Sequence, residues 1–154
     1  MKRVLLVFGV LILFGLSSCH NDPTENVLVS RKFPTSNWER FDYVENVITL
    51  SKPIAYNLEL DALFDDAYTF NYFEVVFTVF DQSGNPLRSK NYRFTVKDRQ
   101  GNWKSESVEG TYHFRFPLNN ELTLSEPDTY TFQIENHMPI TPLSGIREVS
   151  IIRK

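Results

Sequence analysis

Apolar and polar residues take turns along most of this chain, and a period of two is compatible only with extended backbone that has one face buried and one wet. In Tyr56-Asn57-Leu58-Glu59-Leu60-Asp61 the even positions are apolar and the odd ones polar. The same rule governs Tyr112-His113-Phe114-Arg115-Phe116 and Tyr130-Thr131-Phe132-Gln133-Ile134-Glu135. Tyr92, Phe94 and Val96 share one side of a run whose other side carries Arg93, Thr95 and Lys97. Residues 70–80 differ: both parities are bulky, which places that strand in the middle of a sheet, under a covering loop, or at a bulge. With 13 Phe and 7 Tyr, composition favours strands over helices as well.

Turn chemistry separates the runs. Asp81-Gln82-Ser83-Gly84-Asn85-Pro86 and Asp98-Arg99-Gln100-Gly101-Asn102 each open on an Asp able to form an Asx turn and carry a Gly able to take positive φ. Glu126-Pro127-Asp128 precedes the strand near 129–135, Pro139 and Pro142 break the stretch after that strand, and a last strand covers residues 146–153. Residues 27–50 accommodate one or two strands, or a short helix around 38–44. The expected fold is an all-β antiparallel sandwich, Ig-like or jelly-roll-like. Its 154 residues suit one domain behind a processed leader.

That leader is read from the first nineteen residues. Lys2 and Arg3 precede an apolar run at 4–16, which as a helix reaches only about 20 Å against a hydrocarbon core of roughly 30 Å. Leu16-Ser17-Ser18-Cys19 resembles the bacterial lipobox, in which small residues admit the backbone to a peptidase and the cysteine sulfur receives diacylglycerol. The organisation expected is a lipoprotein signal peptide at 1–18, an acylated Cys19 with a polar spacer at 19–26, and a β-sandwich at 27–154. Loss of Lys2 and Arg3 would take the net charge from −3 to −5, so attachment to anionic lipid would rest on the acyl groups of Cys19. The acidic balance also argues against a nucleic-acid partner. A single Cys excludes an internal disulfide framework and a Cys-based zinc cluster.

Several residues invite a chemical reading. His113 lies on the polar face of its strand, and His20 and His137 fall in spacer and loop, with no pair at metal-ligand spacing. Asp61, Asp65 and Asp66, or Asp81 with Ser83 and Asn85, could offer oxygens to calcium, yet neither set matches an EF-hand loop. The sequence has no nucleophile elbow, phosphate loop or dinucleotide fingerprint, so no enzyme activity, metal or cofactor is expected. Trp38 and Trp103 sit near strand or loop ends, where an indole either contacts a glycan or partner protein or plugs an open end of the sandwich, the commoner role.

Taken in order, the lipobox at Cys19, Trp38 with Phe41, Tyr56-Asn57-Leu58, the aromatic strand at 70–80, and Asp98 with Gly101 and Trp103 resemble the GldH gliding-motility lipoprotein family of the Bacteroidetes. The closing segment, with Tyr130 to Glu135, Met138 and Leu143-Ser144-Gly145-Ile146-Arg147-Glu148-Val149, is the most family-like piece. Ser150 and Asp128 stand where the family tends to have glycine. The resemblance implies a non-enzymatic outer-membrane lipoprotein, facing the periplasm or the surface. Its partners would be cell-envelope proteins of the gliding machinery or its secretion system. The alternative from the residues alone is a carbohydrate- or peptide-binding surface lipoprotein for nutrient capture.

Overall fold

A computed structural model describes residues 26–154, and the expectations for residues 1–18, Cys19 and most of the 19–26 spacer lie outside those residues. Among the described residues eleven strands succeed one another: β1 (Val27–Lys32), β2 (Asn37–Trp38), β3 (Val44–Thr49), β4 (Ile54–Asp65), β5 (Tyr72–Phe80), β6 (Pro86–Thr95), β7 (Ser107–Val108), β8 (Thr111–Leu124), β9 (Thr129–Asn136), β10 (Leu143–Ser144) and β11 (Ile146–Arg153). A five-stranded sheet in the order β1-β11-β4-β8-β7 packs on a four-stranded sheet in the order β3-β9-β5-β6, and β2 pairs with β10 at one end. Every ladder is antiparallel. The expected all-β antiparallel sandwich is what forms.

Alternation explains which side chains meet. Tyr56, Leu58, Leu60, Ala62 and Phe64 point inward from β4, facing Phe73, Val75, Phe77 and Val79 of β5 and Tyr130, Phe132 and Ile134 of β9. β5 lies between β9 and β6, the central position its bulky residues at both parities call for. Its other face carries Tyr72, Glu74, Val76, Thr78 and Phe80 on the outside of the sheet. The stretch 27–50 forms three strands, so the helix considered at 38–44 does not form: Trp38 pairs with Leu143 and Val44 with Ile134. Ser150 fits between strands, where its hydroxyl donates to Ser30 Oγ at 2.8 Å. Asp128 serves its loop through the backbone, its carbonyl accepting from Leu50 N–H at 2.8 Å.

The pairings define two ends. Val27 lies opposite Ile152, Thr49 opposite Thr129 and Phe80 opposite Thr131, so the start of β1, the close of β11 and the loops after β3, β5 and β8 share one end. At the other end lie the segments 33–43, 66–71, 96–106 and 137–145. A strand as long as β4 separates the two by about 40 Å.

Candidate functional site

The far end is built around Trp38. Its indole is fully buried against Phe33 at 5.2 Å and Phe73 at 6.4 Å, and its Nε1 donates to Asp42 O at 2.6 Å. Asn136 Nδ2 donates to Trp38 O, and Arg31 pairs with Asp42 at 2.6 Å. Arg40 ties this loop to the next: its N–H donates to Thr141 Oγ1 at 2.9 Å and its Nη2 to Met138 O at 2.8 Å, while Thr141 Oγ1 donates to Glu39 Oε2. Between these ties Phe41 is held at φ 65 with 69% of its surface exposed. Left-handed backbone at a bulky residue costs about 1–2 kcal/mol, which the surrounding bonds offset. Ile140, on the loop that Arg40 grips, is exposed as well. Beside Phe41 opens a groove of about 360 Å³, floored by Asn136, His137 and Met138.

His137, which lines the groove, also contacts the carboxylate of Glu74. Glu74 is 7% exposed on the outer face of β5. It accepts from Asn91 Nδ2 at 2.7 Å and from Arg93 Nε at 2.5 Å, and His137 Nδ1 lies 3.1 Å from it. Arg93 in turn covers the Tyr72 ring at 4.4 Å. The bond from Asn91, with those from His137 and Arg93, outweighs burial and holds the Glu74 carboxyl at about 2. A depressed carboxyl stabilises the fold above its ordinary value near 4.5, and that contribution is lost as pH falls toward 2. Because Arg93 and His137 are washed by solvent, we expect about 2 kcal/mol from it. Urea unfolding of Glu74→Gln at about pH 6 and about pH 3 should show a flatter acid limb than the parent. Equal slopes would remove this role.

Trp103 occupies the open side of the sandwich. Tyr112 stacks on one face of the indole at 4.1 Å and 13°, and Lys97 Nζ sits 4.2 Å from the ring centre. Neither Trp38 nor Trp103 thus presents a free ring face. Lys97 also donates to Tyr68 O, and its burial pulls its pKa down. Beyond Trp103, inward rings from β6 and β8 meet in a ladder, with Phe94 on Phe116 at 4.2 Å and 7° and Phe114 on Phe116 at 5.4 Å and 14°.

The acids singled out in the sequence do not converge. Asp61 accepts from His113 Nε2 and Arg115 Nε, both at 2.8 Å. Asp65 caps Ala67 N–H at 3.0 Å, and Asp66 accepts from Tyr112 OH at 2.9 Å. Asp81 closes its own turn onto Asn85 N–H and Nδ2, which lower its carboxyl, and Asp98 does the same with Asn102. Among the described residues no His, Cys, Asp or Glu cluster is placed to hold a metal ion. Sequence reading passes over Glu74, whose partners come from β6 and the segment after β9. It also passes over the cationic run on β6, whose signal is present as Arg88, Lys90 and Arg93.

These features define an antiparallel β-sandwich with an exposed aromatic at one end and an aromatic seam along one side. The GldH lipoprotein family model matches residues 28–152, the whole folded body save its margins, and the chain belongs to that family. Membership implies a lipid-anchored protein of the cell envelope, associated by family with gliding motility. A search of the curated proteins gives no match. Among solved structures, the native structure of a family 35 carbohydrate binding module from Clostridium thermocellum aligns at 12% identity, covering 71% of this chain and 68% of that chain. Its TM-score is 0.34, and the overlap carries no argument about fold or ligand.

Proposed function

We propose that the protein is a non-enzymatic lipoprotein of the outer membrane, and that acyl groups on Cys19 hold its body where it keeps a protein of the gliding-motility or associated secretion machinery in place. Family membership supports the setting. The observation that carries the partner-holding role is Phe41, a bulky aromatic kept exposed in a costly backbone conformation beside a groove. Val27 comes eight residues after Cys19, a reach of at most about 29 Å, so the tether belongs to the β1 end and Phe41 projects from the opposite one. The nutrient-capture alternative, built on Trp38 and Trp103 as glycan platforms, is disfavoured by the covered faces of both indoles.

Deleting the gene in its own host should abolish colony spreading and impair protein secretion, and normal behaviour in both assays would remove the role. Phe41→Gly adds a sharper test. Relief of the left-handed strain should leave the variant as stable as the parent or up to about 1 kcal/mol more so. It should nonetheless fail to restore spreading to the deletion strain. Full restoration would show that Phe41 contacts no partner.

A further inference from the structure

Although the chain is acidic overall, the stretch 86–104 holds Arg88, Lys90, Arg93, Lys97, Arg99 and Lys104 against Asp98 alone. The fold sets the first three of these cations on β6, which ends its sheet and pairs only with β5. Val96 N–H donates to Asn71 O at 2.9 Å, and on the other side of β5 His137 N–H donates to Glu74 O at 3.1 Å. By the alternation of an antiparallel ladder, the even residues of β6 are therefore bonded to β5. Ser89, Asn91 and Arg93 direct their N–H and C=O groups off the edge.

Facing that edge across the seam is β8, which is paired with β7 only at Thr111 and Tyr112. Tyr92 and Phe94 line the seam from β6, with Phe116 and Phe114 opposite. Arg88 spans it, donating to Tyr92 OH and to Glu121 O. Lys90 lies over the Tyr92 ring at 5.0 Å. Glu74 neutralises Arg93, whereas Lys90, Arg99 and Lys104 have no carboxylate within ion-pair distance among the described residues.

We propose that this edge receives an extended acidic segment of a partner protein, which joins the four-stranded sheet as a further strand beside β6. The inference rests on the partner-holding role proposed above and gives that partner a chemistry. An open edge supplies the main-chain bonds of strand addition, the half-buried rings accept apolar side chains, and the unmatched cations select carboxylates. A second copy of this chain is a poor occupant, because its own β6 brings the same cations and like charges oppose edge pairing. An anionic lipid or polymer would satisfy the cations but leave the strand edge idle.

The test uses the full lipidated chain in detergent and, as probe, a labelled peptide alternating glutamate and valine. It should bind in a salt-sensitive manner and slow deuterium exchange at Ser89, Asn91 and Arg93. Lys90→Glu with Lys104→Glu should weaken binding about tenfold or more. Ser89→Pro removes an edge N–H together with the Ser89 Oγ–Thr78 Oγ1 bond of 2.9 Å and should abolish binding, whereas Ser89→Ala, which loses only that hydroxyl bond, should bind as the parent does. Equal binding of a lysine–valine peptide, or binding indifferent to Ser89→Pro, would overturn the proposal. So would equal binding of polyglutamate or of vesicles rich in phosphatidylglycerol, which would mark a charged patch only. A strain whose spreading fails while the purified protein ignores the peptide would retain the broader role and discard this edge. Peptide binding in a protein dispensable for spreading and secretion would do the reverse.

Discussion

Gly145→Ala is expected to cost about 4 kcal/mol and to leave little folded protein at growth temperature. Gly145 links β10 to β11 at φ +82, and a Cβ built there would lie 2.1 Å from Tyr68 N and 2.5 Å from Tyr68 Cα. Backbone cannot step aside as a side-chain tip can. This backbone is also pinned: Tyr68 N–H donates to Asp65 O, Asp65 N–H to Gly145 O, and Gly145 N–H to Ser36 O. Overpacking costs about 1–3 kcal/mol and left-handed strain about 1–2 more. Gly101→Ala isolates the second contribution, since Gly101 has φ +88 and nothing within 4 Å of the added carbon. It should lose only about 1 kcal/mol in urea unfolding. Equal losses at the two sites would mean that Gly145 is kept for its φ alone, not for the close passage of the 66–68 turn.

Cys19→Ala should move the protein from the membrane fraction to the soluble fraction and end its labelling by radioactive fatty acid. Each buried methylene contributes about 0.8 kcal/mol, so two or more chains anchor a protein stably on a bilayer. The chain is acidic overall, and among the described residues no helix is long and apolar enough to cross a membrane. A variant that still sediments with membranes after a high-salt wash would contradict anchoring through Cys19.

Strand positions are legible in the sequence wherever one face is wet. β4 and β9 come directly from alternation, and Asp81 and Asp98 mark the turns that their side chains close. Legibility fails where tertiary contacts decide. Trp38 belongs to a two-residue strand that exists only because β10 returns to it. The run beyond Phe116 loses its alternation, yet β8 continues to Leu124 because the β4–β8 register shifts between Tyr56 and Leu58 and absorbs the irregularity. The Glu74 cluster has no local signal, since Asn91, Arg93 and His137 reach it from elsewhere in the chain. Phe41 is visible as a residue, but not its φ.

Pairing of β1 with β11 sets residue 27 beside residue 152 and residue 32 beside residue 148. The first strand of the body is thus completed by the last. The opening strand has no mate until β11, 120 residues on between Ser30 and Ser150, is in place. Contacts this distant in sequence make for slow closure, milliseconds to seconds in comparable all-β domains. Over that interval the edges of β1 and β4 that β11 will fill are bare and open to mispairing, which makes its insertion the step most exposed to misfolding.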